Sequence, residues 1–223
     1  MSKGTSIFDG GDRTWIRDCL RPRYPELVKP YLEASRLYRS SKKRGNVSAH
    51  ALATLILHAS SPRTPLGENA AAMLGELYDV DKSVERAIRE LAAGRSLHQR
   101  INALIALASC DTNELHEELL ADALEDRSAR VRALAADKIV NRGMRGLLQK
   151  LIAASQRETN TELKDELLAD INYLTQGYHV RQQGGNVWAT CRIGGMSTGA
   201  WFSKAEFETE GRAWIKATLA GAA

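Results

Sequence analysis

The sequence predicts a mostly α protein. Its expected architecture is a right-handed α-α solenoid of about four repeated helix pairs, followed by a small C-terminal β-hairpin or meander plus one helix. Three observations carry this expectation. Apolar columns recur every 32 residues from about residue 49 to 176. Alanine and leucine abound while aromatics are only 6% of the chain, a composition that favours helix. After Thr175-Gln176-Gly177 the composition turns to glycine, tryptophan and β-branched residues.

The repeat is read first, because a fixed period decides the fold. In windows 49–80, 81–112, 113–144 and 145–176, Ile56, Ile88, Leu120 and Ile152 fall at one position, preceded by Leu55, Ala87, Leu119 and Leu151. Ala72, Leu104, Ala136 and Leu168 form a later column, and Gly75, Leu107, Ile139 and Ile171 another. The register holds without a gap. Window 17–48 does not continue it, since Pro22, Pro25 and Pro30 interrupt.

Each window reads as two helices. In the third, Asn113 opens a run with Leu115, Leu119, Leu120, Ala123 and Leu124 at helical spacing. Asp126-Arg127-Ser128 makes the turn, with Ser128 as cap for a helix reaching about Val140, and Gly143 stops it. One such hairpin cannot bury its own apolar face, so neighbouring pairs must stack.

The stretch Leu119 to Val140 resembles a HEAT repeat: Asp126 in the turn, then Val131, Arg132, Ala135 and Ala136 match that family's pattern. The other windows match more weakly, with Arg100 and Lys164 in the Arg132 column and Glu68 departing from it. The resemblance covers about residues 49–176. It implies a helical-repeat architecture in which Arg132 bonds the turn carboxylate Asp126. It leaves function open, since such arrays serve as scaffolds, adaptors, lyases and nucleic-acid binders.

In a HEAT-like stack the second helices line the concave side. Helical-wheel counting puts Ala70, Leu74 and Leu77, then Asn102, Ala106 and Ser109, then Leu134, Lys138 and Asn141, then Glu166, Asp170 and Tyr173 on that track. Of these, Asn102, Leu134, Lys138, Asn141, Glu166, Asp170 and Tyr173 are the candidate partner-binding residues. Such a track suits a protein or peptide better than phosphates. Ala70, Leu74 and Leu77 are expected to lie beneath a capping helix from Tyr31 to Ser40.

Residues 1–60 hold 11 Lys/Arg against 5 Asp/Glu, whereas 112–180 hold 9 against 12. The basic excess is therefore N-terminal. Arg36, Arg39, Lys42, Lys43 and Arg44 are its densest run and the candidate nucleic-acid contact. The preferred reading of the same run is a solvated helix end capped by Gly45. Residues 1–48 are thus read as a basic capping segment whose first 12 or so residues are disordered, 49–176 as the repeats, and 177–223 as a small α+β module. In that module Val187–Ile193 reads as a strand, Ala200-Trp201-Phe202 as its return, and Ser203–Glu206 as a capping box for a last helix to about Leu219. Trp188, Trp201, Phe202 and Trp214 are expected mainly as its core, an exposed pair being the alternative.

Several chemistries lack their motifs. There is no phosphate loop, no His-Glu-x-x-His, no Cys-x-x-Cys and no nucleophile elbow. His116, beside Glu117 and Glu118, reads as a solvated helix start. No catalytic residue, cofactor or metal is assigned. Three well-separated cysteines, no 18-residue apolar run and no leader-like N-terminus favour a cytoplasmic chain without a membrane partner. The expected function is a non-catalytic scaffold or adaptor binding a protein or peptide. The alternative is a nucleic-acid binder or a HEAT-like DNA glycosylase-type enzyme acting in the concave groove.

Overall fold

Every 32-residue window holds two helices. The computed structural model describes residues 12–62, 65–110, 114–193 and 196–221. The expected disorder of the first residues falls largely outside them, as do Asn113, Gly194 and Gly195. After short helical turns over 12–27, helix α1 spans Val28–Arg44, followed by α2 (Ala49–Ala59) and α3 (Leu66–Tyr78). Next come α4 (Glu85–Ala92), α5 (Leu97–Ala108), α6 (Glu114–Ala123), α7 (Ala129–Asn141), α8 (Leu148–Arg157) and α9 (Thr161–Gln176). Strands β1 (Tyr178–Gln183), β2 (Asn186–Ile193) and β3 (Met196–Ser203) follow, then a helical stretch from Lys204 that ends as α10 (Arg212–Ala220). Among the described residues no helix is long and apolar enough to cross a membrane.

Local chemistry sets the helix ends. Ser48 Oγ accepts from the Ala51 N–H, Ser96 and Gln99 form a reciprocal capping box, and Asn160 caps the Leu163 N–H. Gly45 and Gly177 end α1 and α9 at φ of 72° and 80°, which a side chain would disfavour. Ser128 stands at its cap position, but its side chain makes no capping bond. The Asp126 carboxylate instead accepts the Ser128 N–H at 2.7 Å.

The chain divides into two units, Met1–His116 and Glu117–Ala223. In the first, α1 lays Tyr31, Ala34, Ser35, Tyr38 and Ser41 against α2 and α3. Ala70, Leu74 and Leu77 are fully buried, as the capping expectation requires. The Tyr38 hydroxyl and the Lys42 ammonium both reach Glu76 on α3, the latter at 2.9 Å. Helices α3 and α5 approach closely: a Cβ on Gly75 would sit 2.0 Å from the Ala106 carbonyl oxygen. This contact corrects the reading of Asn102 and Ala106 as outward-facing. Asn102 is 2% exposed, and its amide donates to the Ala59 carbonyl at 2.7 Å. His116 is likewise fully buried rather than solvated.

In the second unit α9 packs on α7, α8 and β1. Arg132 donates to the Asp126 backbone carbonyl at 2.7 Å, while its ion pair is with Glu158 at 2.6 Å, not with the Asp126 carboxylate. Leu55, Ala87, Leu119 and Leu151 are all buried, whereas in the adjacent column Ile88 and Leu120 are buried and Ile56 and Ile152 are half-exposed. Helix α9 departs furthest. It serves three neighbours and turns Leu163, Leu167 and Leu174 inward, leaving Leu168 44% exposed.

These environments give unequal expectations along columns that look equivalent in sequence. Leu120→Ala should cost about 2–5 kcal/mol as a core cavity. Gly75→Ala should cost about 1–3 kcal/mol, because the α3–α5 backbones must separate. Leu168→Ala should stay within about 0.5 kcal/mol. Urea denaturation of the three variants checks the order.

Candidate functional site: a buried arginine and the sheet face beside it

The C-terminal sheet is antiparallel in the order β1-β2-β3. Alternation along β2 divides it into two faces. Val187, Ala189 and Cys191 point to one face, where Ala189, Cys191 and Ile215 of α10 form a core ringed by Tyr178, Val180, Phe202, Phe207, Trp214 and Leu219. Trp188, Thr190 and Arg192 point to the other. The register adds His179 and Arg181 from β1 and Ser197, Gly199 and Trp201 from β3 to that second face.

At one end of this face Arg192 meets α7 and α9. Its guanidinium lies 2.6 Å from Asp137, 3.5 Å from Asp170 and within hydrogen-bond reach of the Asn141 side-chain oxygen. Asn141 also donates to Asp137 at 2.9 Å, and Lys138 stands 3.6 Å from the same carboxylate. The Tyr173 ring lies 5.7 Å from the guanidinium and packs edge-on to His179, whose Nδ1 is bonded to the Asn172 amide at 3.0 Å. Arg192 and Asp170 are 14% and 13% exposed at the side chain. Burial pushes the Asp170 carboxyl up from its ordinary 3.8 to about 7; the attraction of Arg192 opposes this, and Asp137 and Glu166 add to it. Arg192 holds Asp137 at short range and Asp170 only loosely, so desolvation prevails at Asp170. Burial and the Arg181 charge together lower His179 below its ordinary value.

At the other end of the face Trp188 and Trp201 pack with centroids 5.0 Å apart. Gly199 makes this possible: a Cβ there would stand 2.4 Å from the Trp188 ring. Trp201 is 54% exposed and Met196 77%. The four C-terminal aromatics therefore separate. Phe202 and Trp214 belong to the core, with rings 6.0 Å apart, and the Trp188–Trp201 pair lies on the opposite face. Strand β3 is an edge, with no strand partner but β2 among the described residues. It carries no Lys, Arg, Asp, Glu or Pro.

Of the sequence-derived track, Asn141, Asp170 and Tyr173 converge on Arg192, and Lys138 stands beside them. Leu134 is half-buried on α7, Glu166 is exposed on α9, and Asn102 is inside the other unit. Arg36, Arg39, Lys42, Lys43 and Arg44 are exposed along α1, with Lys42 bound to Glu76. Sequence reasoning missed Arg192. Its signal is a lone cation in an otherwise uncharged strand, in a chain whose preceding segment has an acidic surplus. Among the described residues no group of three His, Cys, Asp or Glu side chains is placed to hold a metal ion. No family model, curated protein or solved structure matches the chain.

The arrangement holds a polar network at one end and presents the exposed Trp201, packed on the half-buried Trp188, at the other. Its titration is testable. The folded Asp170 binds its proton more tightly than the unfolded chain does, so stability falls as pH rises from 3.8 to about 7. Asp170→Asn should shrink the difference in urea midpoint between about pH 5 and about pH 8. Arg192→Gln should instead destabilise by about 1–3 kcal/mol, because it leaves the buried Asp170 without its cation and Asp137 with only the more distant Lys138.

Proposed function

We propose that this protein is a non-catalytic, HEAT-like helical-repeat scaffold that binds an extended peptide segment of a partner protein. The observation that carries the reading is the β3 edge with its neighbouring Trp188–Trp201 pair. Exposed edge strands are normally blunted by charge, proline or a bulge, since their free N–H and C=O groups invite pairing. Strand β3 runs eight residues without a charged residue or proline and exposes Met196 and Trp201. Strand addition supplies main-chain hydrogen bonds, and aromatics on the adjoining face supply side-chain pockets. The half-exposed Trp201, partly ordered by Trp188, has the character of an interface anchor.

The nucleic-acid reading rests on the exposed cations of α1 and on aromatics beside Arg181. With Lys42 engaged by Glu76, the α1 run would support a salt slope of at most about −4. Asp170, half-protonated near neutrality and facing Arg192, is poorly placed to act as a free carboxylate toward a damaged base.

Peptide-library selection against the full chain, followed by hydrogen exchange on the complex, tests the proposal. Extended apolar peptides should emerge, protect amides of Met196–Ser203, and bind about thirtyfold more weakly to Trp201→Ser. Salt-resistant binding of structured or damaged DNA that survives serine substitution of Arg39, Lys42, Lys43 and Arg44 would overturn the scaffold reading.

A further inference from the structure

The inner face of the sheet is incompletely covered on its β1 side. Three residues form the fully buried core there, while Tyr178, Val180, Phe207 and Leu219 are half-buried against it. These same four side chains, with Ile215 and Ala213, wall a cleft of about 820 Å³ between the end of α9, β1 and α10. That volume falls in the range of small-molecule sites, which are mostly apolar with a few placed polar groups.

One wall of the cleft depends on a rare backbone feature. Residues Phe207–Gly211 form a single π turn, in which the Arg212 N–H donates back to the Phe207 carbonyl. Such bulges are uncommon and cluster at functional sites. Here the bulge folds the Phe207 ring over Gly211, where a Cβ would sit 2.5 Å from the ring. It also brings the Arg212 guanidinium to 5.9 Å from the ring centroid. Phe207 thus faces both the core and the cleft, and the cation stands at the lip.

The charges at the lip have one sign in excess. Arg212 and Lys216 lie one turn apart on α10 and both line the cleft. The acid at the adjoining lip is Glu208, already bonded to Arg212 at 2.9 Å. Lys216 makes no ion pair among the described residues. The two amide side chains in the lining are occupied, Gln176 with the Tyr178 carbonyl and Asn172 with His179. The cleft therefore offers an apolar floor and a cationic lip.

We propose that this cleft binds a monomeric amphiphile with an apolar chain and a carboxylate head. The chain lies against Val180, Phe207, Ile215 and Leu219, and the head meets Lys216 and Arg212. This site is separate from the β3 edge and does not rest on the peptide-binding reading.

Calorimetric titration of the full chain with dodecanoate below its micelle concentration tests it, with dodecanol, dodecylamine and mixed phosphatidylcholine–phosphatidylserine vesicles as comparison ligands. Dodecanoate should bind more tightly than dodecanol, and dodecylamine most weakly. Lys216→Gln should weaken dodecanoate about fivefold and leave dodecanol unchanged. Val180→Trp should abolish binding of both, with circular dichroism reporting its fold. Ala213→Trp, at an exposed lip position, serves the same purpose if Val180→Trp unfolds. Equal affinity for dodecanoate and dodecanol, indifference to both filling variants, or binding to anionic vesicles without binding to monomeric dodecanoate would each overturn the proposal.

Discussion

The unit from Glu117 onward is organised around one buried cation. Arg192 reaches from near the end of β2 to two carboxylates on different helices, and isolated it would be intolerable there. Its pairing with Asp137 at 2.6 Å and its bond to Asn141 make the position tenable. The pairing also fixes which face of β2 meets the helices, because a slip of one residue would send Arg192 into the core beside Ala189 and Cys191. The opposite assignment of Phe202 and Trp214 to the core and of Trp188 and Trp201 to the outer face follows from that choice. Buried ion pairs rarely add net stability, but they discriminate strongly between alternative registers.

The two faces of the sheet then diverge in kind. One is apolar and meets α10, with the π turn at Phe207–Gly211 opening a cleft along β1. The other begins polar at Arg192 and becomes aromatic at the half-buried Trp188 and the exposed Trp201. A three-stranded sheet is near the lower limit of independent stability. This one is held by α10 on one face and by α7 and α9 through Arg192 on the other, which leaves β3 free to remain uncharged and exposed.

How far the sequence could be read follows from the range of the physics involved. The helix pairs were legible because 3.6-residue periodicity and stop glycines such as Gly45 and Gly143 act within a few residues, whereas the cap read at Ser128 proved to be a bond from the Ser128 N–H to the Asp126 carboxylate. Strand β2, the core of β3 and the Ser203–Glu206 capping box were legible for the same reason, whereas β1 and the first residues of β3 were not assigned. Helix α9 was readable as a helix but not in its rotation, since the turning out of Leu168 depends on its packing against β1. Counting helical positions put Asn141, Asp170 and Tyr173 on one track, and these three converge on Arg192, yet it misplaced Asn102, because Gly75 lets α3 and α5 close over that face. The convergence on Arg192 was beyond local reasoning: residues 137, 170 and 192 meet only after the chain has folded back on itself. The π turn was equally hidden, as nothing in Phe207–Gly211 departs from an ordinary helical composition except Gly211.

The central claim is that Arg192 locks the sheet and the last helices into one cooperative unit. Native-state hydrogen exchange measured against denaturant addresses this directly, because amides that open together share one opening free energy. The account predicts that β2, α7 and α9 amides converge on a common opening in the unaltered chain and separate into two in Arg192→Gln. Exchange of β2 at a lower free energy than α7 and α9 in the unaltered chain, unchanged by the substitution, would contradict it.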